Sequence, residues 1–260
     1  MAFDLSSLRT DAITRPPRIL LLGVEKIGKS TFAASSNRPV ILPVRGEEGI
    51  DEFTVPKFPP AQQYQDTLDV IVSLYTQEHD YATFVLDSAS AFESLVWQKT
   101  CQENGNASSI EKVGGGYAKG YTEALTWWRT VLTGLDSLRA ERNMASIVIG
   151  HVKVKRFDDP AGPSYDQYQF DLDARAANLL YRWADCILFC NTKVVVKKED
   201  IGFGQEKHLG MDISGGQRFL FTQKRPAHPG GGRGVYGRLP YELPLSWEAF
   251  MGAVSQAMSS

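Results

Sequence analysis

Between residues 23 and 31 the chain reads Gly23-Val24-Glu25-Lys26-Ile27-Gly28-Lys29-Ser30-Thr31, which fits G-x-x-x-x-G-K-[ST]. That spacing suits gripping the phosphates of a nucleotide. Glycines let backbone N–H groups turn inward, a lysine reaches the β- and γ-phosphates, and a hydroxyl ligates Mg2+. Here the lysine is Lys29 and the hydroxyl is Ser30, with Gly23, Glu25, Lys26, Ile27, Gly28 and Thr31 completing the expected binding loop. The helix expected to follow adds the partial positive charge of its N-terminus. Asp87 closes the apolar run Phe84-Val85-Leu86 and is the candidate for supporting the metal. Hydrolysis also needs a group that orients or deprotonates water. Glu47 and Glu48 stand together in Arg45-Gly46-Glu47-Glu48-Gly49, where like charges can raise a carboxyl pKa. On chemistry alone they read equally well as catalytic groups or as solvated loop charges.

These residues need a scaffold. Arg18 to Gly23 is a short apolar run bounded by glycine, the pattern of a strand buried on both faces. Further strands are expected at 40–44, 81–86, 146–150 and 186–189. Helices are expected at 61–77 (apolar side Tyr64, Leu68, Ile71, Val72, Tyr75), 91–103, 122–142 and 172–183. Strands alternating with helices predict an α/β fold with a mostly parallel central sheet flanked by helices. After Asn191 the texture changes. Thr192–Lys197 and Arg218–Gln223 read as antiparallel strands, a C-terminal hairpin extension, with a mobile glycine-rich stretch at His228–Gly234. A helix closes the chain at 246–258, with Ser246 as N-cap and Trp247 and Phe250 on its apolar side. The expected organisation is an arm at 1–17, where Phe3 and Leu5 could dock on a neighbour, and a single domain at 18–258. Its core covers 18–191 and its extension 192–258.

Composition sets the outer bounds. The 260 residues are 43% hydrophobic and 22% charged, ordinary for a globular protein. No stretch approaches the roughly 18 apolar residues that span a bilayer, so no membrane partner is expected. The N-terminus lacks the pattern of a secretory signal, and the expected location is the cytoplasm. Cys101, Cys186 and Cys190 are too few and too scattered for a disulfide framework, and the latter two read as buried small hydrophobes. Net charge is −2, but it is uneven. Residues 41–111 carry twelve acidic and three basic side chains, while 193–240 carry nine basic and four acidic. That asymmetry permits one surface that meets phosphates.

A phosphate loop on the first strand, Glu47 after the second and an apolar strand ending in Asp87 together resemble the RecA-like P-loop ATPases. The closest likeness is to phage-encoded RecA-like nucleotide-binding proteins, a group that includes single-strand annealing recombinases. The resemblance runs from about Arg18 to Trp247. It implies a RecA-like fold that binds ATP and Mg2+, with Glu47 as the water-activating glutamate and Glu48 next in line. It implies that His151, at the end of the fourth strand, senses the γ-phosphate. The segment after it then matches a DNA-contacting loop carrying Lys153, Lys155 and Arg156, followed by Tyr165, Tyr168 and Phe170. Cations interleaved with aromatics suit a single strand, because rings stack on bases while cations follow phosphates. A second loop repeats this chemistry with Lys112, Tyr117 and Lys119 among glycines. Arg233 stands where relatives place a basic residue that reaches a neighbouring subunit's nucleotide.

The reading that follows is an ATPase, expected to be stimulated by DNA, working in phage recombination, annealing or replication. Its expected partners are single-stranded DNA, further copies of itself in a ring or filament, and a single-strand-binding protein. Two rival readings are a nucleotide-gated single-strand-binding module with negligible turnover and a small-molecule P-loop kinase.

Overall fold

Five apolar runs become parallel strands because each is buried on both faces. They are β1 (Arg18–Gly23), β2 (Pro39–Pro43), β3 (Thr83–Asp87), β4 (Ala145–Phe157) and, after β5 (Tyr165–Phe170), β6 (Cys186–Asn191). In β1, Ile19, Leu20, Leu21 and Leu22 are all fully buried, as a central strand of a covered sheet requires. The computed structural model describes residues 8, 15–47, 49–160, 162–200, 206–212 and 215–259, with backbone pairing alone for 194–200 and 206–212. Most of the expected arm, including Phe3 and Leu5, and Glu48 of the acidic pair lie outside the described residues.

β6, β1, β4, β3 and β2 lie side by side in that order, all parallel. β9 (Phe219–Phe221) and β11 (Glu242–Pro244) extend the sheet antiparallel beyond β6. One face carries α2 (Tyr64–Thr76), α3 (Ala89–Glu103), α4 (Lys119–Glu141) and α5 (Ala174–Trp183). The other carries α1 (Lys29–Ala34) and α6 (Trp247–Ser259), which meet where Phe32 packs edge-on against Trp247. Ser246 caps α6 through the Ala249 N–H, as expected. The register pairs Gly23 with both His151 and Cys190, and Pro43 with Asp87. The ends of β1, β2 and β3 and His151 on β4 thus share one edge, where parallel sheets place ligands.

Four sequence expectations change. The buried side of α2 is Tyr64, Thr67, Ile71 and Leu74, whereas Val72 and Tyr75 are exposed. β4 does not stop at Gly150 but runs to Phe157, because β5 pairs with its second half from Val152↔Phe170 to Phe157↔Tyr165. β7 (Val194–Asp200) pairs not with the segment at 218–223 but with β8 (Glu206–Asp212), while β9 joins β6. The stretch 228–234 is packed: the His228 ring stacks on Phe189 at 4.7 Å, and β10 (Gly231–Gly232) pairs with β6.

One buried acid ties the helical face together. Glu93 on α3 is 6% exposed, and both its oxygens accept from the N–H of Asp173, the cap of α5, at 2.9 and 3.1 Å. Burial, reinforced by the charges of Asp173 and Asp171 and opposed by the Asp173 N–H bond and Lys153, pushes its carboxyl up to about 7 from 4.5. The folded state then holds a proton that the unfolded state releases, so stability falls as pH rises from about 4.5 to about 7. The loss at this group is roughly 3 kcal/mol. Urea denaturation at pH 5.5 and 8 should show a Glu93→Gln variant with a flatter pH dependence than the parent; equal slopes would refute the assignment.

Candidate functional site

The phosphate loop leaves β1 at Gly23, where a side chain cannot fit: a Cβ there would lie 2.6 Å from the Cys190 carbonyl oxygen. Gly28, at φ +108°, takes a backbone conformation open to glycine and turns the chain into α1. Because α1 has only six residues, its dipole adds little, and the inward-turned loop N–H groups supply most of the local positive field. Lys29 is buried, and its Nζ donates to the carbonyls of Gly23 at 3.0 Å and Val24 at 2.7 Å. Burial holds its pKa below the usual lysine range, against the pull of Cys190, Asp87 and Glu47. The Ser30 hydroxyl donates to Asp87 Oδ2 at 2.7 Å. Asp87 is only 4% exposed, so it is no solvated strand-end charge. Burial raises its pKa, with the Ser30 bond working the other way.

Glu47 reaches the same place from the far end of β2. Its Oε1 accepts from Ser88 Oγ at 2.5 Å and lies 2.9 Å from His151 Nε2. Burial alone would favour the neutral acid, but these hydrogen bonds and the charges of His151 and Lys29 outweigh it and hold the carboxyl below its usual range. An ionised Glu47 only accepts, which assigns the proton to His151 Nε2 and leaves the buried Nδ1 without a partner among the described residues. The His151 backbone is fixed from both sides: its N–H donates to Ser90 Oγ, and its carbonyl accepts from the Asp171 N–H.

A cleft of about 590 Å³ gathers most of the expected residues: Glu25, Lys26, Gly28, Lys29, Ser30, Thr31, Glu47, Asp87 and His151. Ile27 is not among them, because its side chain is buried in the core beneath the loop. Gly23 contributes through its carbonyl. Arg233 is not brought to this cleft. Its guanidinium donates to the carbonyls of Arg182 and of Ala184, the latter at 2.6 Å, and stands 3.7 Å from Asp185. Asp185 also binds Arg18 and Arg139, at the edge where β1 and β6 begin, opposite the phosphate loop. The residue that sequence reasoning missed is Arg218, just before β9, which lines the cleft with Nη1 3.1 Å from where a Gly28 Cβ would stand. The only signal for it was the local basic excess.

The residues expected to contact DNA divide between two places. Lys153, Lys155 and Arg156 stand on the paired β4–β5 ribbon rather than on a loop, with Lys153 bound to Asp171 at 2.7 Å. Lys112 lies in a 3-10 turn, Ile110–Gly115, that buries Val113; Tyr117 is 97% exposed, and Lys119 opens α4.

Among the described residues no cluster of three His, Cys, Asp or Glu side chains forms a metal cage. A hydroxyl beside one carboxylate suits Mg2+ held partly by substrate phosphates, so the Ser30–Asp87 pair fits that ion. No helix among the described residues is long and apolar enough to cross a membrane. No curated protein matches the chain. A family model described as an AAA domain matches residues 15–234. The match takes in the phosphate loop, Glu47, Asp87 and His151, and the chain belongs to this AAA domain family of nucleotide-binding P-loop ATPases.

Proposed function

We propose that the chain is an ATPase of the RecA type that binds single-stranded DNA as an oligomer and serves DNA recombination, annealing or replication. The observation that carries this reading is the position of the acid. The residue after Asp87 is Ser88, and the carboxylate facing the phosphate loop is Glu47, delivered from the end of β2 and held by Ser88 and His151. Lys29 grips the β- and γ-phosphates, and the loop N–H groups surround them. Ser30 and Asp87 would hold Mg2+, which when bound neutralises charge developing on the phosphate oxygens. Arg218 adds a further cation from the same chain, beside Lys26. Glu47 accepts a proton from water as its oxygen attacks the γ-phosphorus and the bond to the ADP oxygen breaks. His151 Nε2–H orients Glu47 and, through β4, connects it to Lys153, Lys155 and Arg156.

Single-strand binding is supported by the cations of the ribbon, with Lys112, Tyr117 and Lys119 as a second contact. Binding to labelled oligo-dT in the presence of ATP should weaken steeply with salt, the slope being about −0.7 per neutralised phosphate. Phosphate release should rise when the strand is added, and mass photometry should show larger assemblies with ATP and strand together. Absence of binding at low salt with ATP would sink the DNA reading. Turnover that is absent while ATP still tightens strand binding would leave a nucleotide-gated binding module instead.

A further inference from the structure

Away from the phosphate cleft, a second cavity of about 390 Å³ lies between the β4–β5 ribbon, α5 and residues 224–230. Its wall is built by strand alternation. Lys153 and Lys155 point to one side of β4, and their cross-strand partners on β5 are Gln169 and Gln167. Lys224 faces them from the other wall, and no Asp or Glu lines the space. Lys153 is already paired with Asp171 at 2.7 Å. Lys155 and Lys224 have no carboxylate partner among the described residues. The floor is aromatic: the half-buried Tyr181 lines it, backed by the buried Phe170 at 6.0 Å between ring centroids. The opening is preformed, because the Tyr168 N–H donates to the Ala227 carbonyl at 2.8 Å and Gln167 Nε2 donates to the Pro226 carbonyl at 2.7 Å.

Unpaired cations, carboxamides and rings around a space of this size answer the three parts of a nucleotide. Ammonium groups meet a phosphate, amides can both donate to and accept from a base edge, and an aromatic floor receives its flat face. The volume lies at the lower end of small-ligand pockets, which suits one such unit and excludes a duplex. We infer that this cavity binds a single nucleotide unit, base included, with Lys155 and Lys224 on its phosphate. For a unit within a strand, the inference rests on the single-strand reading above; a free mononucleotide offers the same chemistry.

The test uses the full chain with a saturating non-hydrolysable ATP analogue and Mg2+, so that the phosphate loop is already filled and the chain is in its strand-binding state. Three probes are titrated: dAMP, an oligo-dA, and the same oligomer with abasic units. Lys224→Ala reports on the cavity. Arg156→Ala, on the opposite side of the ribbon, reports on strand binding outside it. The parent should bind oligo-dA at least ~5-fold more tightly than the abasic oligomer, a typical worth of one stacked base. Tyr181→Leu, which removes the ring from the floor, should abolish that preference, and Lys224→Ala should weaken dAMP binding at least ~5-fold, the worth of one charged contact. Arg156→Ala should weaken both oligomers equally. Unchanged melting of each variant shows that it folds. If dAMP binds in a Lys224-dependent way while neither oligomer binds, the cavity stands with a free mononucleotide as its ligand and the single-strand reading falls. If the strands bind but the parent tolerates abasic units and Lys224→Ala changes nothing, the inference is overturned and the strand reading survives.

Discussion

Glu47→Gln is expected to stop turnover while leaving ATP bound, lowering kcat by about 10²- to 10⁴-fold, the usual worth of a general base. The substitution keeps the shape of the side chain, and an amide oxygen can still accept from Ser88 and His151, whose present contacts to Glu47 are 2.5 and 2.9 Å. What is lost is the negative charge and the capacity to take a proton. In the parent that capacity is secured at neutral pH because hydrogen bonding holds the Glu47 carboxyl below its usual range despite burial. Activity should therefore not fall until the solution is well below neutrality. Phosphate release in single turnover, paired with nucleotide affinity by equilibrium dialysis, separates the two effects. A variant whose kcat stays within about threefold of the parent would remove Glu47 from the chemistry, since so small a loss matches no acid–base role.

Lys29→Ala should act on binding instead, weakening ATP by at least ~100-fold, or about 2.7 kcal/mol. The residue is buried, so its charge meets phosphate in a poorly screened setting where an ion contact is worth more than at the surface. Arg218→Ala should weaken ATP less, by roughly 5- to 10-fold, because that side chain is exposed and solvent screens it. The ranking is the informative outcome. Should Arg218→Ala prove as damaging as Lys29→Ala, the loop lysine would not be the principal phosphate contact. Circular dichroism melting guards against a trivial cause, since removing the Lys29 ammonium also leaves the Gly23 and Val24 carbonyls without their donor.

The phosphate loop was readable in the sequence because its chemistry is local: nine consecutive residues, with the strand before them and the helix after. β1 and β3 were readable because strands buried on both faces must be continuous apolar runs. The partnership of Glu47 with His151 joins residues 104 apart, and no local pattern encodes it. Arg218 escaped notice for the same reason, reaching Gly28 only because β9 lies against β6. The second half of β4 was written plainly in Val152-Lys153-Val154-Lys155, an alternation of period two, but its cations made it read as a loop. On α2, Val72 and Tyr75 fit a helical stripe almost as well as Thr67 and Leu74, and only packing against α3 and α4 decides which side turns inward. Arg233 rests on likeness alone as a residue that reaches a neighbouring subunit's nucleotide; within its own chain it stands 3.7 Å from Asp185 at the opposite edge of the sheet.

The close approach of Gly23 to Cys190 has a chemical consequence. The Cys190 thiol is fully enclosed, and burial pushes it up to about 12, so almost no thiolate forms near neutral pH. An alkylating reagent can reach that sulfur only when the packing around the β1–β6 seam opens. Its modification rate is therefore a clock for the opening of the seam from which the phosphate loop springs, while the half-buried Cys101 on α3 supplies an internal reference that needs no such event.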